Sequence, residues 1–314
     1  MKLSLGVSLG FAINKYFEPD VWPRVVREMG VDRVQFVADC LNPLLPEDWV
    51  NRQIDITLTY MKEYDIKVTS IFTSAFTRIN HLMHPDAEAR KFYVQFFRRF
   101  FEMGARLGAK SGGSHFGIMT FKDYENVERR KFLIDEGVKN WQEISIYAAD
   151  CGFDFITFEP MSVEREMANT VAESLYLMNR VNENAAVPMR LIIDIGHAPH
   201  PAERDPYSWV EKAGKFSPII HLQQTSFGKS MHWPFTQQYN EQGIITGERL
   251  LESLRKSGVE ECELILELSH REHRDIEPLI ISDHKESIAY WKPFVESENA
   301  KNILNESVEF ARNK

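Results

Sequence analysis

The sequence predicts an α/β protein folded as a single (β/α)8 TIM barrel, and three observations carry that prediction. About eight short apolar, β-favouring runs alternate with about eight stretches of helical periodicity. No Pro/Ser-rich linker, low-complexity segment or internal repeat divides them, so residues 1–314 read as one domain ending in a helix. The phosphate-loop signatures of an open doubly wound sheet are missing: no GxGxxG follows the first strand, and GxxxxGK[ST] does not occur. Strand–helix alternation requires parallel strands with crossover helices, and eight such units in this length form a closed barrel.

Taken in order, Leu3 to Leu9 forms a first strand, broken by Gly10. Asp20 is placed to cap a short helix from Val21 to Met29, with Gly30 as its stop. RVQFV, from Arg33, is a second strand; Pro46 opens a helix to about Tyr64; KVTSIF, from Lys67, is a third strand. Asp86 starts a long helix to Leu107, whose Phe92, Phe96, Phe97, Phe100 and Phe101 recur at helical spacing and are expected in the core. AKSGGSHF, from Ala109, is a glycine-rich fourth strand, where glycine signals close backbone approach. A helix from Glu128 to Ala149 precedes FDFITF, the fifth strand, which runs into Glu159 and Pro160. Asn169 to Asn182 is helical, MRLIIDIGH is the sixth strand, and Asp205 to Ala213 is a short helix. Ile219 to Leu222 is the seventh strand, Thr246 caps a helix to Ser257, CELILEL from Cys262 is the eighth strand, and a final helix runs from Ser282 to about Val295.

Composition narrows the function. With 43% hydrophobic and 26% charged residues the chain can bury a sizeable core. A net charge of −9 argues against general binding of nucleic acid or anionic membranes, though a small anionic substrate needs only a local cationic pocket. Cys40, Cys151 and Cys262 lie far apart without CxxC spacing, which favours a reducing cytoplasm over a disulfide framework. The N-terminus turns charged by Lys15 and reads as a strand, not a signal peptide, and no run approaches the roughly 18 apolar residues of a membrane span. A homodimer is the assembly kept open.

The chemistry is expected where four apolar runs end. Strand five ends in Glu159, strand six carries Asp194, strand seven His221 and strand eight Glu267. In a parallel barrel all C-terminal strand ends face one mouth. Three carboxylates there would repel and be forced towards protonation unless a cation intervenes. The O3N donor set suits one divalent ion, Mn²⁺ first, with Mg²⁺ or Co²⁺ as alternatives.

These residues carry a resemblance. FEP at Phe158, DIGH at Asp194, IIHLQ at Ile219 and LILEL at Leu264 resemble the sugar isomerase/epimerase superfamily, the xylose-isomerase-like barrels that include the D-tagatose 3-epimerases. The resemblance spans essentially the whole chain. It implies that Glu159, Asp194, His221 and Glu267 bind one divalent metal, and that Glu159 and Glu267 exchange protons with the substrate from opposite faces. The chemistry is coherent: removing a proton beside a carbonyl builds negative charge on the oxygens, which a metal bridging two vicinal oxygens stabilises as an ene-diolate. Return of the proton from the other face is epimerisation; transfer to the neighbouring carbon is aldose–ketose isomerisation. His197 matches the family position that hydrogen-bonds the substrate, and His115, at the end of strand four, is a second polar candidate.

One departure bears on the substrate. Where the D-tagatose 3-epimerase pattern has a second glutamate after the glutamate–proline pair, MSVERE puts Arg165 near that place. A cation there suits a phosphorylated substrate, and Lys229, Arg271 and Arg274 add charge where barrels often bind phosphate. The expected substrate is thus a ketose or, more specifically, a short ketose phosphate such as erythrulose 1-phosphate, epimerised at C3; Phe11, Phe76, Phe116, Trp233 and Phe235 either crowd the mouth to fit so short a chain or simply pack loops. The competing readings are an aldose–ketose isomerase, a polyol dehydratase, a non-catalytic carbohydrate-binding barrel and an AP-endonuclease-like nuclease. The last draws on His81, His115, His197 and His232 but meets Ser230, not an aspartate, two residues before His232.

Overall fold

A computed structural model of the chain describes residues 1–73, 81–198, 202–270 and 277–312. Eight strands, β1 (Lys2–Ser8), β2 (Arg33–Val37), β3 (Lys67–Phe72), β4 (Ser111–His115), β5 (Phe155–Glu159), β6 (Met189–Asp194), β7 (Ile219–Leu222) and β8 (Glu261–Leu266), form a closed barrel in sequence order. Every neighbouring pair is parallel, and the barrel closes where Leu5 pairs with Leu264 and Val7 with Leu266. The helices among the described residues are α1 (Trp22–Met29), α2 (Glu47–Glu63), α3 (Ala87–Leu107), α4 (Phe121–Glu125), α5 (Val127–Asp150), α6 (Val171–Asn182), α7 (Pro206–Ala213), α8 (Gln237–Asn240), α9 (Gly247–Ser257) and α10 (Ile280–Arg312).

Local chemistry sets these boundaries. Asp86 caps α3 by accepting hydrogen bonds from the Glu88 and Ala89 amides, and Gly108 closes it at φ 100°. Thr120, Asn126, Thr170 and Asp205 cap α4, α5, α6 and α7 in the same way. The glycines of β4 have a steric cause: a Cβ on Gly113 would lie 1.9 Å from the Thr157 carbonyl oxygen of β5. Phe96, Phe97, Phe100 and Phe101 bury the inner face of α3 against the barrel and α5, with Phe97 5.2 Å from the Trp141 ring.

The barrel interior is layered because residues two apart on a strand share a face. On β8, Glu263 bonds Arg33 and Thr69 at one end, Ile265 fills the middle with Phe72, Ile192 and Ile219, and Glu267 follows at the other end. The apolar middle is the floor on which the polar mouth rests.

Several boundary expectations change. Asp20 does not cap α1, which starts from Val21 without a side-chain cap, and Thr246 makes no capping bond to α9. The final helix starts at Ile280 and continues through Pro293 to Arg312, beyond the expected end. The short α4 and α8 were not anticipated, since four or five residues carry no readable period. Phe92 is 53% exposed, on the outer face of α3. Phe11, Phe116 and Phe235 are buried in packing rather than narrowing the mouth: Phe116 sits against Phe158, and Phe235 stacks on Tyr290. Phe76 lies outside the described residues.

Candidate active site

Strand register brings the expected residues together. Asp194 pairs with His221 across β6 and β7, and His115 pairs with Glu159 across β4 and β5. Glu267 sits one residue past β8 and extends its ladder, its amide donating to the Leu222 carbonyl at 2.9 Å. One ligating atom from each of Glu159, Asp194, His221 and Glu267 lies within 4.8 Å of the other three. Glu159, Asp194 and His221 are buried, and Glu267 is partly open to the mouth.

His221 is the hub. Its Nδ1 is 3.0 Å from Glu159 Oε1 and 3.4 Å from Glu267 Oε2. Its Nε2 is 2.9 Å from Gln35 Oε1, while the Gln35 amide nitrogen donates to Ser70 Oγ. Burial alone would keep the ring neutral, but Glu267 and Glu159 outweigh it and hold the imidazole well above the usual histidine range. For the two glutamates burial favours the protonated form, yet the His221 ring prevails and holds both carboxyls below the usual carboxylate range. Asp194 goes the other way: burial pushes its carboxyl up. It accepts from the Gly196 amide at 2.6 Å and from the Gln223 amide nitrogen at 2.9 Å to each oxygen.

The donor set fits a divalent cation. Three carboxylates gathered around one imidazole bring more negative charge into a buried site than a single ring can balance. Gln35 Oε1, an acceptor only, keeps a hydrogen on Nε2, so a cation that displaces the Nδ1 proton would find the Nδ1 lone pair aimed between the glutamates, as an outer partner arranges for a metal-ligating histidine.

The other expected residues divide. His115 Nε2 is 3.5 Å from Glu159 Oε2, with its ring edge-on to Phe72. His197 spans two of the clustered carboxylates, Nδ1 3.6 Å from Glu159 and Nε2 3.7 Å from Asp194. Arg165 donates to the Met119 carbonyl, lies 3.5 Å from Glu166 and stacks over Phe121 at 5.0 Å. Lys229 is exposed in the loop after β7, and Arg271 and Arg274 lie outside the described residues. A second group, Asp194, His197 and His232, also gathers within ligating distance.

Two residues escaped the sequence reading. Gln35 was legible only as one polar residue inside the apolar run RVQFV, and Gln223 stood in IIHLQ without a role. Both are fully buried and each fixes one of the clustered side chains. No helix among the described residues is long and apolar enough to cross a membrane.

Comparison with known proteins agrees with this architecture. A curated D-erythrulose 1-phosphate 3-epimerase of Brucella abortus is 34% identical over 303 residues, 95% of this chain and 98% of that protein. A Rhodospirillum rubrum protein assigned as a xylose isomerase superposes with a TM-score of 0.83 at 26% identity, covering 93% of this chain and 99% of its own. D-psicose 3-epimerase of Clostridium cellulolyticum H10 shares the fold, with a TM-score of 0.71 at 17% identity over 94% of this chain and 99% of its own. The sequence also matches the family model over residues 23–294. With the closed parallel barrel and its acidic mouth in view, the chain belongs to the Xylose isomerase-like TIM barrel family.

Proposed function

We propose that this protein is an isomerase-class enzyme, a metal-dependent 3-epimerase of a short ketose phosphate, with D-erythrulose 1-phosphate as first candidate. The observation that carries the reading is His221 held between two carboxylates, Glu159 at 3.0 Å and Glu267 at 3.4 Å, within a four-residue ligating cluster. The 34% identity to the Brucella abortus D-erythrulose 1-phosphate 3-epimerase, nearly end to end, supports the choice of substrate.

Glu159, Asp194, His221 and Glu267 would hold the ion, Mn²⁺ by preference. When bound, a divalent ion supplies stabilisation of the negative charge that grows on two vicinal substrate oxygens. Glu159 and Glu267 remove a proton from C3 and return one to its opposite face. For this the pair starts each turnover in unlike states: the ionised glutamate takes the C3 proton, its protonated partner delivers one to the opposite face, and exchange with water resets the pair. His197 and His115, both beside Glu159, orient the substrate oxygens, and Arg165, Lys229 and Arg271 serve the phosphate end. The three cysteines are free thiols, in keeping with a reducing cytoplasm. A second reading, aldose–ketose isomerisation, is favoured by the similarity to the Rhodospirillum rubrum protein.

The test is a substrate panel in D₂O: erythrulose, xylulose, fructose and tagatose, each with and without 1-phosphate, before and after chelation. Deuterium at C3 with inverted configuration at that carbon, lost on chelation and restored by Mn²⁺, is expected. An aldose product moves the assignment to the second reading, and exchange on no substrate overturns both.

A further inference from the structure

His232, in the loop after β7, has no part in the proposed reaction above, yet it is tied to Glu267 directly and to Asp194 through Gln223. Its Nδ1 is 3.1 Å from the Glu267 carbonyl oxygen and 3.8 Å from the Glu267 carboxylate. Its own amide donates to Gln223 Oε1 at 2.6 Å, and its carbonyl accepts from the Ser269 amide. The residue stands at φ 49°, a left-handed conformation uncommon outside glycine, and these bonds hold it there. Its ring meets His197 edge-on with centroids 5.6 Å apart, and it remains partly open to solvent.

The hydrogen-bond count fixes what this ring can bind. A carbonyl oxygen only accepts, so Nδ1 carries the hydrogen and Nε2 of the neutral ring is an acceptor. Nε2 faces Gln223 Nε2 and Ser230 Oγ, each at 3.3 Å. One Gln223 amide hydrogen is shared by the two Asp194 oxygens at 2.9 Å each, and the other lies between Ser230 Oγ at 3.2 Å and His232 Nε2 at 3.3 Å. His232 Nε2, at the rim of the cluster, is thus held only by long contacts of 3.3 Å, which a substrate hydroxyl can displace. An acceptor repels a phosphate and gains nothing from a carbonyl oxygen, so it selects a hydroxyl. In a four-carbon ketose 1-phosphate whose O2 and O3 lie at the reacting centre, the remaining hydroxyl is on C4.

We propose that His232 is a substrate-binding residue whose Nε2 accepts a hydrogen bond from the ketose hydroxyl next to the reacting carbon, beside Glu267. This deepens the epimerase reading and rests on it. His232 thereby becomes a specificity-determining group on the Glu267 side, as His197 is on the Glu159 side.

The test uses the Mn²⁺-loaded full chain with D-erythrulose 1-phosphate and its 4-deoxy analogue. His232→Asn tolerates a positive φ and can keep a donor near the Nδ1 position, but removes the Nε2 acceptor. It should raise KM for the full substrate about tenfold while leaving the 4-deoxy analogue unchanged. His232→Gln, whose amide oxygen can reach the Nε2 position, should restore part of the difference. Manganese content should stay equal in all three proteins. Equal KM effects on both substrates, or loss of bound manganese with His232→Asn, overturn the proposal and leave His232 as a structural or metal-binding residue. A wild-type enzyme that epimerises neither compound overturns the function itself, a failure distinct from an active enzyme indifferent to His232.

Discussion

Gln35 Oε1 and His221 Nε2 lie 2.9 Å apart in the closed interior of the barrel, joining β2 to β7 across its axis. The bond sets which ring nitrogen of His221 faces Glu159 and Glu267. Replacing Gln35 with Leu leaves His221 free to choose its tautomer and strands Nε2 in a buried site. Mn²⁺ affinity should fall about 10- to 100-fold, measured by calorimetric titration, the range for losing such an outer partner. Unchanged affinity would show that the tautomer is set elsewhere.

Gly196 explains how Gln223 reaches Asp194. A Cβ at position 196 would fall 2.2 Å from the Gln223 amide carbon, so any larger residue displaces the amide that both Asp194 oxygens accept from. Gly196→Ala should weaken metal binding about tenfold. Adding Gln223→Ala should recover thermal stability by relieving the clash, but not affinity. Recovery of both would mean that the clash, not the lost amide, is responsible.

The barrel was readable because its signal is repeated: strands β2, β3 and β7 follow the apolar runs residue for residue, and the glycines of β4 mark a close contact that the structure supplies at Thr157. The site was readable for a related reason. Glu159, Asp194, His221 and Glu267 interrupt apolar runs at strand ends, and such interruptions stand out in a sequence. Gln35 interrupts its run too, but a neutral amide in mid-strand has no obvious partner until the closed barrel brings His221 to it. The direction of Arg165 was not readable at all. Its contacts with Met119 and Phe121 depend on how the β4 and β5 loops fold against each other, and no local periodicity encodes that.

The two glutamates should fail in the same way when neutralised. Glu159→Gln and Glu267→Gln each remove a proton-accepting group while nearly conserving volume, so turnover should fall roughly 10²–10⁴-fold. Deuterium incorporation at C3 separates their roles. The variant lacking the group that starts the reaction from a given epimer loses exchange with that epimer first. Equal residual exchange from both epimers in both variants would rule out the division of labour.

Arg165 tests the phosphate. Its guanidinium is engaged with the Met119 carbonyl, Glu166 and the Phe121 face, so a phosphate has to compete with those contacts. If it does, Arg165→Ala should raise KM about tenfold for D-erythrulose 1-phosphate and leave D-erythrulose unaffected. A parallel rise for both would assign Arg165 to holding the loop.

His284 makes folding stability depend on acid. Its ring is fully buried against Phe11, with Nδ1 donating to the Ile280 carbonyl, and burial pushes its pKa down to about 3. The unfolded chain, near the usual value of 6.5, therefore binds a proton that the folded chain refuses. Between about pH 6.5 and pH 3 the unfolded state holds more protons, so stability rises with pH in that window and is lost as pH falls through it. From pH 7 to pH 4.5 this group alone should cost about 2–3 kcal/mol. Chemical denaturation of wild type and His284→Leu at both pH values isolates the effect, because the carboxylates titrate alike in both proteins. The variant should lose less stability on acidification by roughly that amount, and an identical loss in both would place the acid sensitivity in the carboxylates of the mouth.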